Sequence, residues 1–277
     1  MGAIEAFPAE ILAATEAGAG LALSREAGWN QTAEDWRLFL RRGTVLAARG
    51  EDGRVVATAA ILPYGSDAWI SLVLVSPPWR RRGLATRLVV RCLEQADRAG
   101  RRAWLDATPA GAEVYRQLGF TPAEELARLR RPALGVRSEA GEARCGTPNA
   151  LNDLLALDRD ALRLDRSGPL AELARRAGSV VTGGPEACGL VREGDKAHHI
   201  GPVYGRSQEA VALLLHQVAE TAPGELIVDA YAHQNQVRAE LARLGFAGER
   251  PFVRMVRGGD PAPPSPFAFA SAGPEYG

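Results

Sequence analysis

The chain is poor in cysteine, almost without lysine, and carries no excess of charge of either sign. Its three cysteines, Cys92, Cys145 and Cys188, are scattered through 277 residues with no Cys-x-x-Cys spacing. Such a set argues against a disulfide framework and a structural zinc site, so no metal is expected. Lysine plus arginine and aspartate plus glutamate balance at 33 each. Without a net field there is nothing to recruit nucleic acid or an anionic membrane surface, and neither is expected as a partner. Lys196 is the only lysine; arginine replaces it throughout, a compositional habit of little functional weight. No apolar run approaches the roughly 20 residues of a membrane span. Residues 1–20 have no basic stretch and hold Pro8 and glutamates among the apolar residues, so they do not read as a signal peptide. These absences lead to the expectation of a cytoplasmic protein.

What is present is a chain 46% hydrophobic and 24% charged, which suits one large packed domain or two modest ones. Pro8–Thr15 reads as a helix followed by a glycine break. Thr32-Ala-Glu-Asp resembles a capping box ahead of Trp36, Phe39 and Leu40 at helical spacing. Thr44–Ala48 and Val55–Leu62 read as strands joined around Asp52-Gly53. Ala68–Val75 is the most strand-like segment, Leu84–Ala96 keeps helical spacing, 101–107 reads as a strand and 111–118 as a short helix. Segment 135–150, rich in Gly, Arg, Glu and Pro, is the best linker.

The second half repeats this order: helices over 151–157 and 169–177, strands over 179–182 and 187–192, the stretch 197–205, a helix over 207–220, a strand over 226–230 and a helix over 235–244. Tyr115-Arg-Gln-Leu-Gly-Phe in the first half stands opposite Leu241-Ala-Arg-Leu-Gly-Phe in the second. The shared ending and the shared order of elements point to an internal duplication. The units are expected at 1–134 and 150–258, with a Pro/Ala-rich tail over 259–277. That tail reads as disordered, although the alternation in Phe267-Ala-Phe-Ala-Ser would allow one added edge strand.

The strand ending in Val73, Leu74 and Val75 leads through a turn into Arg80-Arg81-Arg82-Gly83-Leu84-Ala85-Thr86 at a helix start. A helix's first turn leaves amide N–H groups unpaired and partly positive. Gly83 and Ala85 keep the approach clear, and arginines add charge-assisted hydrogen bonds. The segment therefore makes an anion cradle suited to a pyrophosphate. On the residues alone, a plain basic helix start with a solvated arginine cluster is an equally good reading. Walker and Gly-x-Gly-x-x-Gly patterns are both missing.

Arg80-x-x-Gly83-x-Ala85, with Tyr115 downstream, resembles the acetyl-CoA signature of the GNAT N-acetyltransferase superfamily. The resemblance is strong over 44–121 and detectable over 179–256. The phrases Gly28-Trp-Asn-Gln, Leu105-Asp-Ala-Thr-Pro-Ala-Gly and Ile200-Gly-Pro-Val-Tyr-Gly are similar to the bacterial YitH-type tandem group. The resemblance implies an α/β (α+β) fold: two GNAT-like domains, each a mixed, mostly antiparallel sheet flanked by helices, the first active and the second divergent. It implies acetyl-CoA as co-substrate, with backbone groups of Val73, Leu74 and Val75 along the pantetheine arm and the amides of 81–86 at the pyrophosphate, Arg80 opening the signature. It makes Tyr115 the general acid for the departing thiolate; on the residues alone Tyr115 also reads as a core aromatic beside Phe120. Thr108 stands where many GNAT enzymes have an asparagine, and carries over as a cofactor contact.

The glutamate that many members use as general base is missing, since Trp69, Ile70 and Ser71 occupy that part of the strand. Asp35, Asp106, His198, His199 and His233 are candidates, the histidines reading first as surface or structural. Trp29 and Asn30 are expected to line the acceptor cleft, with a packing role equally open to Trp29. In the second half Pro202-Val-Tyr-Gly-Arg-Ser lacks the signature and Leu241 replaces the tyrosine, so a scaffold is expected there. The implied activity is acetyl transfer to a primary amine of a small metabolite, by a monomer or homodimer. The alternatives are a protein amine as acceptor, a non-catalytic acyl-CoA sensor, and mycothiol-type biosynthesis, the last disfavoured because the intact signature lies in the first half.

Overall fold

The computed structural model describes residues 9–133, 146–261 and 263–277, so Cys145 and most of the expected linker 135–150 lie outside the described residues. The first half runs β1 (Glu10–Ile11), α1 (Ala17–Glu26), α2 (Ala33–Arg42), β2 (Thr44–Arg49), β3 (Val55–Tyr64), β4 (Asp67–Val75), α3 (Leu84–Arg98), β5 (Arg102–Ala107), α4 (Pro109–Gln117) and β6 (Thr121–Arg131). The second runs α5 (Ala150–Leu162), α6 (Ser167–Ala174), β7 (Val180–Gly183), β8 (Ala187–Arg192), β9 (His198–Gly205), α7 (Gln208–Thr221), β10 (Leu226–Tyr231), α8 (Asn235–Arg243) and β11 (Ala247–Arg257), followed by β12 (Ala268–Ala270).

Local chemistry explains most of these elements. Thr32 and Asp35 form the reciprocal capping box that starts α2, and the α2 face carrying Trp36 and Phe39 is fully buried. In the described part of the helix expected over Pro8–Thr15, Glu10–Ile11 form a short edge strand instead, and α1 begins at Ala17. Gly18 and Gly20 lie inside α1 rather than breaking it. A Cβ on Gly20 would stand 2.2 Å from the Trp36 ring, so this glycine lets α1 and α2 approach closely.

Among the described residues, the twelve strands form one sheet in the order β1-β2-β3-β4-β5-β11-β6-β10-β12-β9-β8-β7. Most pairs are antiparallel; β4–β5 and β9–β10 are parallel. The two halves do not close on themselves. β11, from the second half, pairs with β5 of the first, and β6, from the first, pairs with β10 of the second. Long strands β6 and β11 pair with each other at the centre, so each half completes the other's sheet. Helices α1, α2, α5 and α6 cover one face together with the C-terminal residues. The other face is covered by α3 and α4 in the first half and by α7 and α8 in the second.

Residues 263–277 depart most from expectation. β12 lies between β9 and β10, inside the sheet and not at an edge. Beyond it, Ala272 and Tyr276 are buried. The Tyr276 hydroxyl donates to Asp35 at 2.7 Å, and the Trp69 indole donates to the Pro274 carbonyl at 3.0 Å. Phe269 and Tyr276 supply the apolar area that offsets the ordering of a Pro- and Gly-rich segment.

Candidate active site

The parallel pair β4–β5 is hydrogen-bonded only at its start, where Asp67–Trp69 face Arg102–Trp104. Pairing stops there, and a cavity of about 120 Å³ lies between Ile70–Val73 on one side and Leu105–Ala107 on the other. A bulge in β4 sets this opening. The β3–β4 register shifts between Thr58 and Ala60, and Leu72 takes a left-handed backbone at φ +49°. That conformation is costly for a leucine. The Thr58 hydroxyl donates to the Leu72 carbonyl at 2.9 Å, and the Leu72 side chain is buried, which together hold the bulge.

At one end of the opening a second cavity is walled by Val73, Leu74, Val75, Arg80, Arg81, Gly83, Leu84, Ala85 and Thr86. Arg81 and Gly83 have left-handed backbones at φ +61° and +74°, a pattern that turns successive amides toward one concavity. Helix α3 starts at Gly83 with no side chain capping it, so its first amides remain available. A Cβ at Gly83 would meet nothing within 4 Å, so an anion has room to reach the backbone. Arg80 donates back to the Val75 carbonyl at 3.1 Å. Arg82 lies over Trp79, donates to the Pro78 carbonyl at 3.2 Å, and does not line the cavity. Of the residues expected at the cofactor, Arg82 alone turns away; Thr108 lines the first cavity and caps α4 through Gly111.

Tyr115 and Trp29 line the first cavity, and Trp29 and Val73 border both. Tyr115 packs edge-on to Phe120, centroids 5.9 Å apart, so the core role and the site role coexist. Burial, with Cys92 adding to it, pushes the phenol up to about 12. Asn30 is not at the cleft. Its amide donates to the Ala197 carbonyl at 2.9 Å and accepts from the Lys196 and Ala197 amides, which ties the loop before α2 to the second half.

Among the five base candidates only Asp106 lines the cavity, and both its oxygens accept from Arg254 at 2.9 Å. Asp35 is buried under Thr32, Arg176 and Tyr276. His199 is buried against Asp229, and burial and Arg192 pull it down to about 4 against that carboxylate. His233 pairs with Glu124, and His198 lines a separate cavity near the end of α7.

A second acidic group faces the cavity, Glu275. It accepts from Gln31 at 3.2 Å and from Arg192 at 2.9 Å. Burial raises its carboxyl above the ordinary range against the pull of Arg192. Sequence reasoning missed it because it lies in the tail; the signal was that Glu275 is the only charged residue in 261–277. Arg128 and Arg250 in the cavity wall were missed as well. Among the described residues no group of three or more His, Cys, Asp or Glu side chains is placed to hold a metal.

The second half carries the same frame with its opening filled. β9 and β10 pair in parallel over His198–Ile200 and Leu226–Val228, and the β8–β9 ladder shifts at Gly201 and Pro202, as β3–β4 does at Leu72 and Val73. Strand β12 occupies the gap beyond, pairing with both neighbours. A Cβ on Gly201 would lie 2.0 Å from the Ser271 carbonyl oxygen, so glycine is needed where the tail passes. Ser207 caps α7 through the Ala210 amide, and Leu241 is buried in the core.

Comparison with known proteins gives two family matches: the acetyltransferase (GNAT) family over residues 16–120 and an acetyltransferase (GNAT) domain over 154–266. A mycothiol acetyltransferase of Kineococcus radiotolerans is 33% identical over 122 residues, 42% of this chain and 40% of that protein. One from Rhodococcus opacus is 36% identical over 85 residues, 30% of this chain and 28% of that protein. The matched segments thus span well under half of these relatives. Among solved structures, a Pyrococcus horikoshii protein described as an acetyltransferase superposes with TM-score 0.77 at 20% identity, covering 99% of this chain and 96% of that one. A tandem GNAT protein from the clavulanic acid biosynthesis pathway superposes with TM-score 0.64 at 17% identity, covering 92% and 99%. At these identities the likeness is one of fold.

Proposed function

The chain belongs to the GNAT acetyltransferase family in both halves, and from that membership we propose that its first half is an acetyl-CoA-dependent N-acetyltransferase acting on a primary amine of a small molecule. The observation that carries this reading is a pair of adjoining cavities that share Trp29 and Val73, one against the uncapped start of α3 and the other lined by Tyr115 and Glu275. Acetyl-CoA supplies the activated acetyl group and a thiol leaving group. The α3 amides, with Arg81 and the open face of Gly83, hold its pyrophosphate. Backbone groups of Val73, Leu74 and Val75, left outside the β4–β5 ladder, align the arm and polarise the thioester carbonyl.

Glu275 receives the proton that the amine must lose, its raised carboxyl being suited to that exchange nearer neutral pH than an ordinary glutamate. The amine nitrogen bonds to the carbonyl carbon, the carbon–sulfur bond breaks, the acylated nitrogen sheds its second proton to solvent, and the sulfur takes a proton from the Tyr115 hydroxyl. The proton held by Glu275 restores the phenol through solvent. Because the phenol stays protonated until about pH 12, Tyr115 is a donor throughout the working range.

The enclosing wall of Pro274 and Glu275 favours a small amine over a protein one, because a polypeptide needs a groove open at the acceptor side. The second half acts as scaffold, its own opening occupied by β12. The decisive experiment is calorimetric titration with acetyl-CoA, followed on the same sample by an amine panel read through free-thiol release. The panel includes the acceptor of the mycothiol-named relatives. One binding site per chain and thiol release with one amine class are expected. Binding without release from any amine would leave the acyl-CoA sensor, and no binding would reduce the cradle to a basic helix start.

A further inference from the structure

Arg250 and Arg128 stand directly opposite each other across the β11–β6 ladder, and both line the acceptor cavity. Like charges in this position repel and destabilise a strand pair. Both guanidinium groups lie over the Phe252 ring, at 5.6 Å for Arg128 and 6.0 Å for Arg250, so the two charges share one apolar support. Arg128 is neutralised by Asp229 through two bonds of 2.8 Å. Arg250 has no ion pair among the described residues.

The cavity's carboxylates do not supply one, because each is already matched: Asp106 by Arg254 and Glu275 by Arg192. One uncompensated positive charge therefore remains on the wall. The other end of the same ladder behaves differently. Toward the filled opening of the second half, Arg254 is paired across β6–β11 with Glu124, opposite charges where the open side has like ones. The unmatched arginine thus belongs to the side with the cavity.

We propose that the acceptor amine itself carries an anionic group, a carboxylate as in a free amino acid, and that Arg250 beside Arg128 binds it while the amine is presented toward Glu275. The proposal rests on the acetyl-transfer reading for the position of the amine. A bound carboxylate offers the missing counter-charge between two arginines, and guanidinium groups match its planar geometry. Arg250 acts as a specificity residue, holding the acceptor without entering the proton transfers.

The test uses the full chain and pairs of amines that differ only in the anion: free L-amino acids against their decarboxylated counterparts, with phosphoethanolamine as a phosphate arm. Thiol release with acetyl-CoA is measured for each, and binding is measured separately by calorimetry on the chain saturated with CoA. The expected result is kcat/KM about 10- to 100-fold higher for the carboxylate-bearing member, the range for losing a hydrogen bond to a charged group. Arg250→Gln should close that gap by raising KM for the carboxylate-bearing amine, with acetyl-CoA affinity unchanged. Preference for phosphoethanolamine would overturn the carboxylate and keep the anion site. Equal turnover with and without the anion would overturn the anion site while upholding acetyl transfer. Binding of the amino acid that Arg250→Gln abolishes, with no thiol release, would uphold the anion site and overturn acetyl transfer. Neither binding nor release would overturn both.

Discussion

Arg128 on β6 and Asp229 on β10 are direct cross-strand partners, joined by two parallel N–H···O bonds of 2.8 Å. The duplication repeats the relation with the halves reversed, Arg254 on β11 reaching Asp106 on β5. Each pair thus links the last strand of one half to the penultimate strand of the other. The fork geometry fixes the register of the exchanged strands, since a one-residue slip would leave two buried charges unmatched.

Removing one member of such a pair should therefore be costly. Asp229→Ala strands the buried Arg128 charge and is expected to lower stability by about 3–5 kcal/mol in urea unfolding. Replacing both partners by apolar residues of similar volume should cost less than the single change. A single-variant loss under about 1 kcal/mol would show that the pair is solvated.

The same pair predicts a pH profile. Burial alone would lift the Asp229 carboxyl, but Arg128 and His199 outweigh it and hold it below the usual carboxylate range. Its contribution is present above the unfolded value near 3.9 and is lost as pH falls through the folded one. His199 is a depressed base at about 4, against about 6.5 unfolded. Between those values the unfolded state binds more protons, so stability falls as pH drops from 6.5 to 4, by at most about 1.4 kcal/mol per pH unit. His199→Gln should flatten that window and leave the steeper loss below pH 4. An unchanged slope would mean that His199 titrates normally.

At the cradle, Gly83→Val is expected to weaken acetyl-CoA binding at least about 10-fold by calorimetry. The added Cβ meets no neighbour, so the loss arises from forcing a β-branched residue to φ +74° and from crowding the anion's approach. Gly83→Ala should lose less. Unchanged affinity in Gly83→Val would remove the pyrophosphate from this helix start.

How much of this was legible in the sequence follows from range. The cradle was readable because a strand end, a turn and a helix start are contiguous; Gly83, Ala85 and Thr86 meet across a few residues. The order of elements in both halves was readable for the same reason. The exchange of β6 and β11 was not, since both read as strands whichever neighbour they take, and the choice depends on residues about 100 to 150 positions apart. Asn30 stood in a motif-like phrase beside Trp29, yet its amide is committed to Ala197. Glycines misled in α1, where Gly20 serves a packing contact. The tail misled most, because its Pro and Gly suit disorder locally while Phe269 and Tyr276 find their partners only in the assembled sheet.

Tyr115→Phe removes the hydroxyl proposed to protonate the leaving sulfur. Turnover should fall about 10²- to 10⁴-fold, the range for a general acid, with acetyl-CoA affinity unchanged. Because burial holds the phenol up to about 12, wild-type activity should show no loss from Tyr115 ionisation below that pH. A fall in affinity instead of turnover would make Tyr115 a wall residue only.

Glu275 is the group whose role separates the tail as scaffold from the tail as part of the site. If it takes the amine's proton, kcat/KM should decline on the acid side with a midpoint above the ordinary glutamate value of about 4.3, because burial raises the carboxyl. Glu275→Gln keeps the size and the hydrogen-bonding ability toward Gln31 while removing the base, so it should lower kcat/KM about 10²-fold or more and abolish that limb. It also leaves Arg192, 3% exposed, without its counter-charge, so unfolding must be measured alongside. Glu275→Asp restores the charge one methylene short and should recover part of the activity together with the limb. If Glu275→Gln lowers activity equally at every pH and stability falls with it, Glu275 is a clamp for Arg192 and Gln31, and the proton leaves the amine by another route.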